Sequence, residues 1–184
     1  MSGAIDGQAI LLLAEAIDGR WRDYDQPSEE RLERVEIELR YFEAVLEQVK
    51  SGLCVNETQV FSMGFSGGGS FSGVLGCRRE DIRAIAAGGS VMYFKESDCV
   101  GTPAAWIAIS EGDMSEGRAS YRDFFRVRAG CAETSRPTEP DTCVAYDSCA
   151  AETPVHSCHH PGGHIWPSFG TEAAWAFFQT FLEE

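Results

Sequence analysis

The sequence predicts an α/β fold, a parallel sheet of about five strands with helices on both faces. Three observations predict it. Short apolar runs alternate with segments of helical period. The runs are continuous rather than alternating, as in strands covered on both sides. A glycine-rich turn, Gly64-Phe65-Ser66-Gly67-Gly68, lies between one such run and a small-residue helix start. With 184 residues, no internal repeat and no low-complexity linker, residues 1–184 read as a single domain.

Taken in order, Gln8 to Leu13 is an apolar run and reads as the first strand. A polar, aromatic loop follows from Asp18 to Pro27. Ser28 then caps a long helix with one apolar stripe, Leu32, Val35, Leu39, Phe42, Leu46 and Val49, at alternating steps of three and four. Its first turn is acidic and Lys50 stands near its end, both in accord with the helix dipole. Thr58 to Met63 is the second strand, and Ser70 to Cys77 a helix of small and apolar residues. Ile82 to Ala87 and Ala104 to Ile109 are the third and fourth strands, with a helix over 118–129. Cys131 to Pro154 reads as a loop, Pro154 to His159 as the fifth strand, and Thr171 caps a last helix carrying Trp175, Phe178, Phe181 and Leu182.

The glycine-rich turn carries the chemistry. A Gly-x-Ser-x-Gly sequence between strand and helix is a nucleophile elbow, with Ser66 projecting at the carboxyl edge of the sheet. Gly64 and Gly68 are expected to lack a Cβ because strand and helix crowd the bend, and the Gly67 N–H faces an oxyanion. A serine hydroxyl needs a base. Of the four histidines, His164 follows the last strand in Pro-Gly-Gly-His-Ile-Trp-Pro and is the candidate base, with His159 and His160 as competitors and His156 structural. Asp113 follows the fourth strand and is the candidate acid that orients the base, with Glu111 and Glu116 as rivals. Trp21, Tyr24, Phe65 and Trp166 fall at the same edge and would offer an aromatic substrate site, the alternative being that they pack the loops. Trp106 and Trp175 read as core.

Composition bounds the rest. A net charge of −14 disfavours nucleic acid and anionic membranes as partners. The sequence shows no transmembrane span, no zinc-type Cys-x-x-Cys pair and nothing that calls for a metal or cofactor. Residues 9–17 lack a basic stretch before them and include Glu15, so they read as strand rather than leader. Seven cysteines point to two or three disulfides and a secreted or periplasmic protein whose signal peptide is not in this chain, with Cys54 the free thiol.

The order Ser66, Asp113, His164 is that of α/β-hydrolases. The elbow, the strand before it, Gly163-His164-Ile165-Trp166-Pro167, Arg83-Ala84-Ile85-Ala86 followed by Cys99, and Cys143-Val-Ala-Tyr-Asp-Ser-Cys149 followed by Pro154-Val155-His156-Ser157-Cys158 resemble secreted feruloyl esterases and polyhydroxybutyrate depolymerase-like esterases from about Ala9 to Phe181. The resemblance implies Ser66 as nucleophile, Asp113 as acid, His164 as base and Gly67 as oxyanion donor. It implies hydrolysis of a small carboxylic ester or polyester through an acyl-enzyme, without cofactor. It also implies disulfides Cys77–Cys99, Cys131–Cys143 and Cys149–Cys158, with Cys131–Cys149 as competitor. Proteins of that kind carry further strands and a His-Gly loop ahead of the run matching Gln8–Leu13. No such loop stands here, so the fold is expected to be a reduced α/β-hydrolase lacking those N-terminal strands. Two expectations follow. The alternative function is a truncated hydrolase of weak or no turnover that serves as a binding or assembly module. The strand at 8–13 would be an apolar edge through which a homodimer forms.

Overall fold

The computed structural model describes residues 7–22 and 25–182; Tyr24 lies outside them. Its centre is a six-stranded sheet: β1 (Val60–Phe65), β2 (Ile82–Gly88), β3 (Ala104–Ser110), β4 (Ser135–Thr138), β5 (Cys143–Tyr146) and β6 (Val155–His160). The spatial order is β1-β2-β3-β6-β5-β4. β1, β2, β3 and β6 run parallel, and β5 and β4 extend the sheet antiparallel.

Alternate side chains of the central strands feed two cores. Ile85, Ala87, Ile107, Ile109 and Val155 pack under three helices, α1 (Ser28–Gly52), α2 (Gly67–Arg78) and α3 (Glu116–Arg128). Ala84, Ala86, Trp106, Ala108 and Cys158 pack under α4 (Gly170–Gln179), through Ala174, Phe177 and Phe178. The phase of two in β2 and β3 divides these sets, as a sheet buried on both faces requires. Gly73 of α2 lets the Tyr121 ring of α3 come close, and the Tyr121 hydroxyl donates to the Gly69 carbonyl at 2.9 Å.

Several expectations are corrected. Residues 8–13 form no strand and pair with none among the described residues, and Ile10, Leu12 and Leu13 are exposed. An apolar run becomes a strand only beside a neighbour that completes the backbone ladder. The dimer edge expected there therefore has no strand to offer, and β1 is the sheet edge on that side. Leu12 and Leu13 instead line an apolar cleft beside β1 with Trp21, Phe61, Met63 and Phe71. The strand expected at 58–63 begins two residues later, because Asn56 Oδ1 accepts from both the N–H and the hydroxyl of Thr58 and turns the chain. Neither α1 nor α4 has a side-chain N-cap: Pro27 precedes α1 and Phe169 precedes α4. Thr171 accepts from Trp166 Nε1 at 3.3 Å instead.

The segment expected to be a loop contains β4 and β5. Ser-Arg-Pro-Thr has almost no apolar content, and its proline is tolerated because β4 is an edge strand. This hairpin also rewrites the disulfides. Cys77–Cys99 is as expected and Cys54 is free. The antiparallel register sets Cys143 opposite Cys158, and these two are bonded. Cys131, just past α3, then joins Cys149, the competitor pairing. The pairs Cys131–Cys143 and Cys149–Cys158 do not form.

One buried polar device was not anticipated. Glu38 of α1 is 1% exposed. It accepts from the Ile17 N–H at 3.1 Å and Arg34 Nε at 3.4 Å, while Arg34 Nη2 donates to the Ile17 carbonyl. This pins the short turn Ile17–Gly19 to α1.

His156 has the structural place expected of it, with its ring 4.8 Å from that of Phe177. Burial first, and Arg136 second, push its pKa down to about 4. The unfolded chain therefore binds a proton near pH 6.5 that the folded chain refuses until about 4. His156 thus costs stability as pH falls through that window and costs nothing above it. Denaturant titrations of His156→Gln are expected to show a shallower loss of stability between pH 6.5 and 4 than the parent. A residual slope will remain from His159, whose pKa is also lowered by burial.

Candidate active site

β1 ends at Phe65 and α2 begins at Gly67, so Ser66 alone makes the turn. Its φ of 55° and ψ of −120° are strained for a residue with a side chain. The turn is held at both ends: the Ser66 N–H donates to the Gly88 carbonyl at 2.7 Å, and the Ser66 carbonyl accepts the Ser70 N–H at 2.9 Å. A Cβ on Gly64 would lie inside the backbone of Gly68 and 2.6 Å from the Gly69 nitrogen. One on Gly69 would strike the Ser90 hydroxyl and stand 2.7 Å from the Gly64 carbonyl oxygen. Gly68 differs from expectation: a Cβ there meets only Trp21 Nε1, at 3.6 Å. Steric demand therefore falls on Gly64 and Gly69, with Gly68 supplying the backbone against which Gly64 packs.

The other two candidates come from the ends of β3 and β6. Asp113 closes a short 3-10 turn, Glu111–Asp113, after β3. His164 lies in the loop after β6. The loops are tied together: the Gly112 N–H donates to the Gly162 carbonyl at 3.0 Å, and the Ser110 hydroxyl donates to the same oxygen. Gly162 has φ +111°, a conformation that favours glycine. Gly89, φ +61°, lets the His164 ring come close, since a Cβ there would be 2.9 Å from Cε1.

The structure brings Ser66, His164 and Asp113 together. His164 Nε2 is 2.7 Å from Ser66 Oγ, and His164 Nδ1 is 2.6 Å from Asp113 Oδ2. The proton on Nδ1 is assigned from the carboxylate partner, leaving Nε2 to accept from the serine. Ser66 sits at the amino end of α2, where the Gly67 N–H adds to the helix dipole. The competing residues lie elsewhere. His160 is buried, with Nδ1 3.1 Å from the Pro161 carbonyl oxygen, and Glu111 and Glu116 are exposed.

The aromatic candidates divide. Phe65 lies against His164, ring centroids 4.7 Å apart. Trp166 packs edge-on to Phe65 and against Trp106, wedged where Gly88 and Gly170 leave room for its ring. Trp21 stacks on Phe71 and lies tilted against Phe42, beside Gly67 and Gly68 of α2. The Tyr93 hydroxyl, not singled out from the sequence, also borders Gly67, 3.7 Å from where a Cβ would stand.

Arg118 was missed as well. From the first turn of α3 its guanidinium reaches both Asp113 and His164. A basic residue in a first turn opposes the helix dipole. That, five residues after Asp113, was the available signal.

No family model matches the chain. It is 31% identical over 166 residues to feruloyl esterase D of Neurospora crassa, covering 78% of this chain and 56% of that protein. It is 28% identical over 194 residues to feruloyl esterase C of Emericella nidulans, covering 94% and 65%. The chain thus spans 56% and 65% of the length of these two relatives. Among solved structures, the crystal structure of esterase PE8 superposes with a TM-score of 0.61 at 16% identity, over 87% of this chain and 69% of that one. A Bacillus cereus carboxylesterase follows with 0.58 at 11% identity, over 83% and 62%. The fold is of the α/β-hydrolase type.

The close approach of Gly64 to Gly68 yields an expected outcome. Gly64→Ala has no flexible side chain to displace, only backbone. Urea denaturation is expected to show a loss of at least about 2 kcal/mol, or no soluble protein. Gly68→Ala should cost under about 1 kcal/mol.

Proposed function

We propose that this chain, with the α/β-hydrolase fold and its likeness to feruloyl esterases, is a serine carboxylic-ester hydrolase working through an acyl-enzyme. The observation that carries the reading is the continuous line from Ser66 Oγ through His164 to Asp113, with contacts of 2.7 and 2.6 Å. Ser66 Oγ attacks the ester carbonyl carbon while His164 Nε2 takes its proton. The carbonyl oxygen becomes an oxyanion facing the Gly67 N–H. The tetrahedral species collapses, the C–O bond to the alcohol breaks, and His164 returns the proton to the leaving oxygen. Water, deprotonated by His164, then attacks the acyl carbon and frees Ser66. Asp113 holds the imidazole tautomer and offsets the charge of the imidazolium.

Phe65, Trp166 and Trp21 would give the acyl or aryl group an aromatic wall, which favours aromatic or short-chain esters and allows a polyester chain. Three disulfides favour an oxidising compartment and hence secretion. No helix among the described residues is long and apolar enough to cross a membrane. One oxyanion donor is assigned, and loss of a single donor in a well-studied protease costs roughly 10²–10³ in rate. Weak turnover, and at its limit a binding or assembly role, is therefore the competing reading.

Hydrolysis of a p-nitrophenyl ester and labelling by an organophosphonate separate the two. The parent is expected to label at Ser66 and to turn over, and Ser66→Ala to lose at least about 10³-fold in kcat with no label. Unchanged turnover in Ser66→Ala, or a parent that never labels, would overturn the esterase reading.

A further inference from the structure

The loops around His164 hold a third charge. Arg118, on the first turn of α3, has its side chain only 18% exposed. Its Nε is 3.0 Å from Asp113 Oδ2, the same oxygen that His164 Nδ1 approaches at 2.6 Å. This Nε is buried and its N–H makes no hydrogen bond, so the contact is one of charge rather than of aligned donor and acceptor. Nη2 stands 3.2 Å from His164 Nδ1. When Nδ1 carries the proton it gives to Asp113, the Arg118 N–H cannot donate to it, because both are donors. Nη1 is fixed at 3.2 Å from the Ser115 hydroxyl, so the guanidinium is held in place. The imidazole thus has a permanent cation at hydrogen-bonding distance on its Asp113 side.

We propose that Arg118 is a positioning residue whose charge, held against both Asp113 and His164, helps to set where the acid limb of the activity falls. The inference rests on His164 acting as the base of Ser66. The groups facing the imidazole are few. Ser66 comes from the elbow, Phe65 from β1, Gly89 from the loop after β2, Asp113 from the turn after β3 and Arg118 from α3. Among the described residues only Asp113 and Arg118 in that set carry charge, with opposite effects on the imidazolium. Asp113 favours it by contact at 2.6 Å. Arg118 disfavours it directly, and also weakens Asp113's pull by sharing the same oxygen.

The consequence is that the charge at 118 acts against the imidazolium on the side where Asp113 acts for it. The accompanying cost is an imidazolium harder to form in the transition state. Because His164 is partly exposed, solvent screens the pair, and the displacement expected on neutralising residue 118 is modest, on the order of one pH unit. A neutral side chain at 118 should therefore move the acid limb of kcat/KM to higher pH, and activity on the acid side should fall by about tenfold per unit moved. The change would lie in where the limb falls rather than only in its height.

The test compares Arg118→Gln and Arg118→Lys with the parent. Two readouts are used, the pH profile of kcat/KM for a p-nitrophenyl ester and the NMR titration of the His164 ring, assigned by its loss in His164→Gln. Arg118→Gln is expected to move both to higher pH by about one unit, and Arg118→Lys to stay within a few tenths of the parent because it keeps the charge. A lower plateau with an unmoved limb and an unmoved ring titration would mean that Arg118 is only structural, and would overturn the inference. So would equal displacement in both variants, since geometry and not charge would then be at work. Should Arg118→Gln not fold, a limb in Arg118→Lys that moves by a full unit despite the retained charge overturns the inference and an unmoved one supports it. Failure of the esterase reading is seen separately, as a parent that neither labels nor turns over. The ring titration still decides the role of Arg118 in that case.

Discussion

The architecture depends on one close backbone approach, that of β1 to α2 at the elbow. Gly64 rests on the Gly68 carbonyl, and Gly69 on Ser90 and the Gly64 carbonyl. With no side chain between them, strand and helix meet at a sharp angle, and Ser66 is forced to a φ of 55°. Such strain persists only where the surroundings over-determine it. Here they do: Ser66 is tied to β2 through the Gly88 carbonyl and to α2 through Ser70, and Ser70 also accepts the Val91 N–H. The same compactness seats α2 over β1 and β2 and carries Phe71, Val74 and Leu75 into the larger core.

From that point the fold works as a set of coupled strand ends. The parallel strands bring their carboxyl ends to one edge, which is where a twisted α/β sheet collects polar loops. β1 delivers Ser66, β3 delivers Asp113, and β6 delivers His164. The bond from Gly112 to the Gly162 carbonyl makes the second and third loops one unit. Trp166 carries this unit down to the sheet: it occupies the space left by Gly88 and Gly170 and meets Trp106 of β3. The disulfide between Cys143 and Cys158 fastens β5 to β6 just before the histidine loop begins.

The elbow, the central strands, all four helices and the three residues that meet at the site were legible in the sequence, since each leaves a local mark. Continuous apolar runs mark doubly covered strands, and glycine pairs mark tight turns. What was not legible depends on partners far away in sequence. Gln8–Leu13 has the composition of a strand but no ladder beside it among the described residues. Ser135–Thr138 has the composition of a loop but pairs with β5. The disulfides beyond Cys77–Cys99 followed from that hidden hairpin, whose register sets Cys143 against Cys158 and leaves Cys131 for Cys149. Glu38 of α1 carries no local mark of its burial, which depends on the turn at Ile17, far away in sequence.

Arg118 belongs to the same group, and it shows why a site is more than its ordered triad. Other arginines pair with carboxylates as well, Arg78 with Glu36 and Arg83 with Glu152 among them. Arg118 differs in what its carboxylate is already doing. Asp113 accepts from His164, so a cation on the same oxygen cannot be judged as an isolated pair; three groups meet at Asp113 Oδ2. Chain topology makes that possible. The Asp113 turn runs within a few residues into α3, whose cap at Ser115 holds Arg118 over the pair. The helix that covers the core thereby also delivers a fixed charge to the proton path. The geometry of the fold and the electrostatics of the site are, at this point, set by the same few residues.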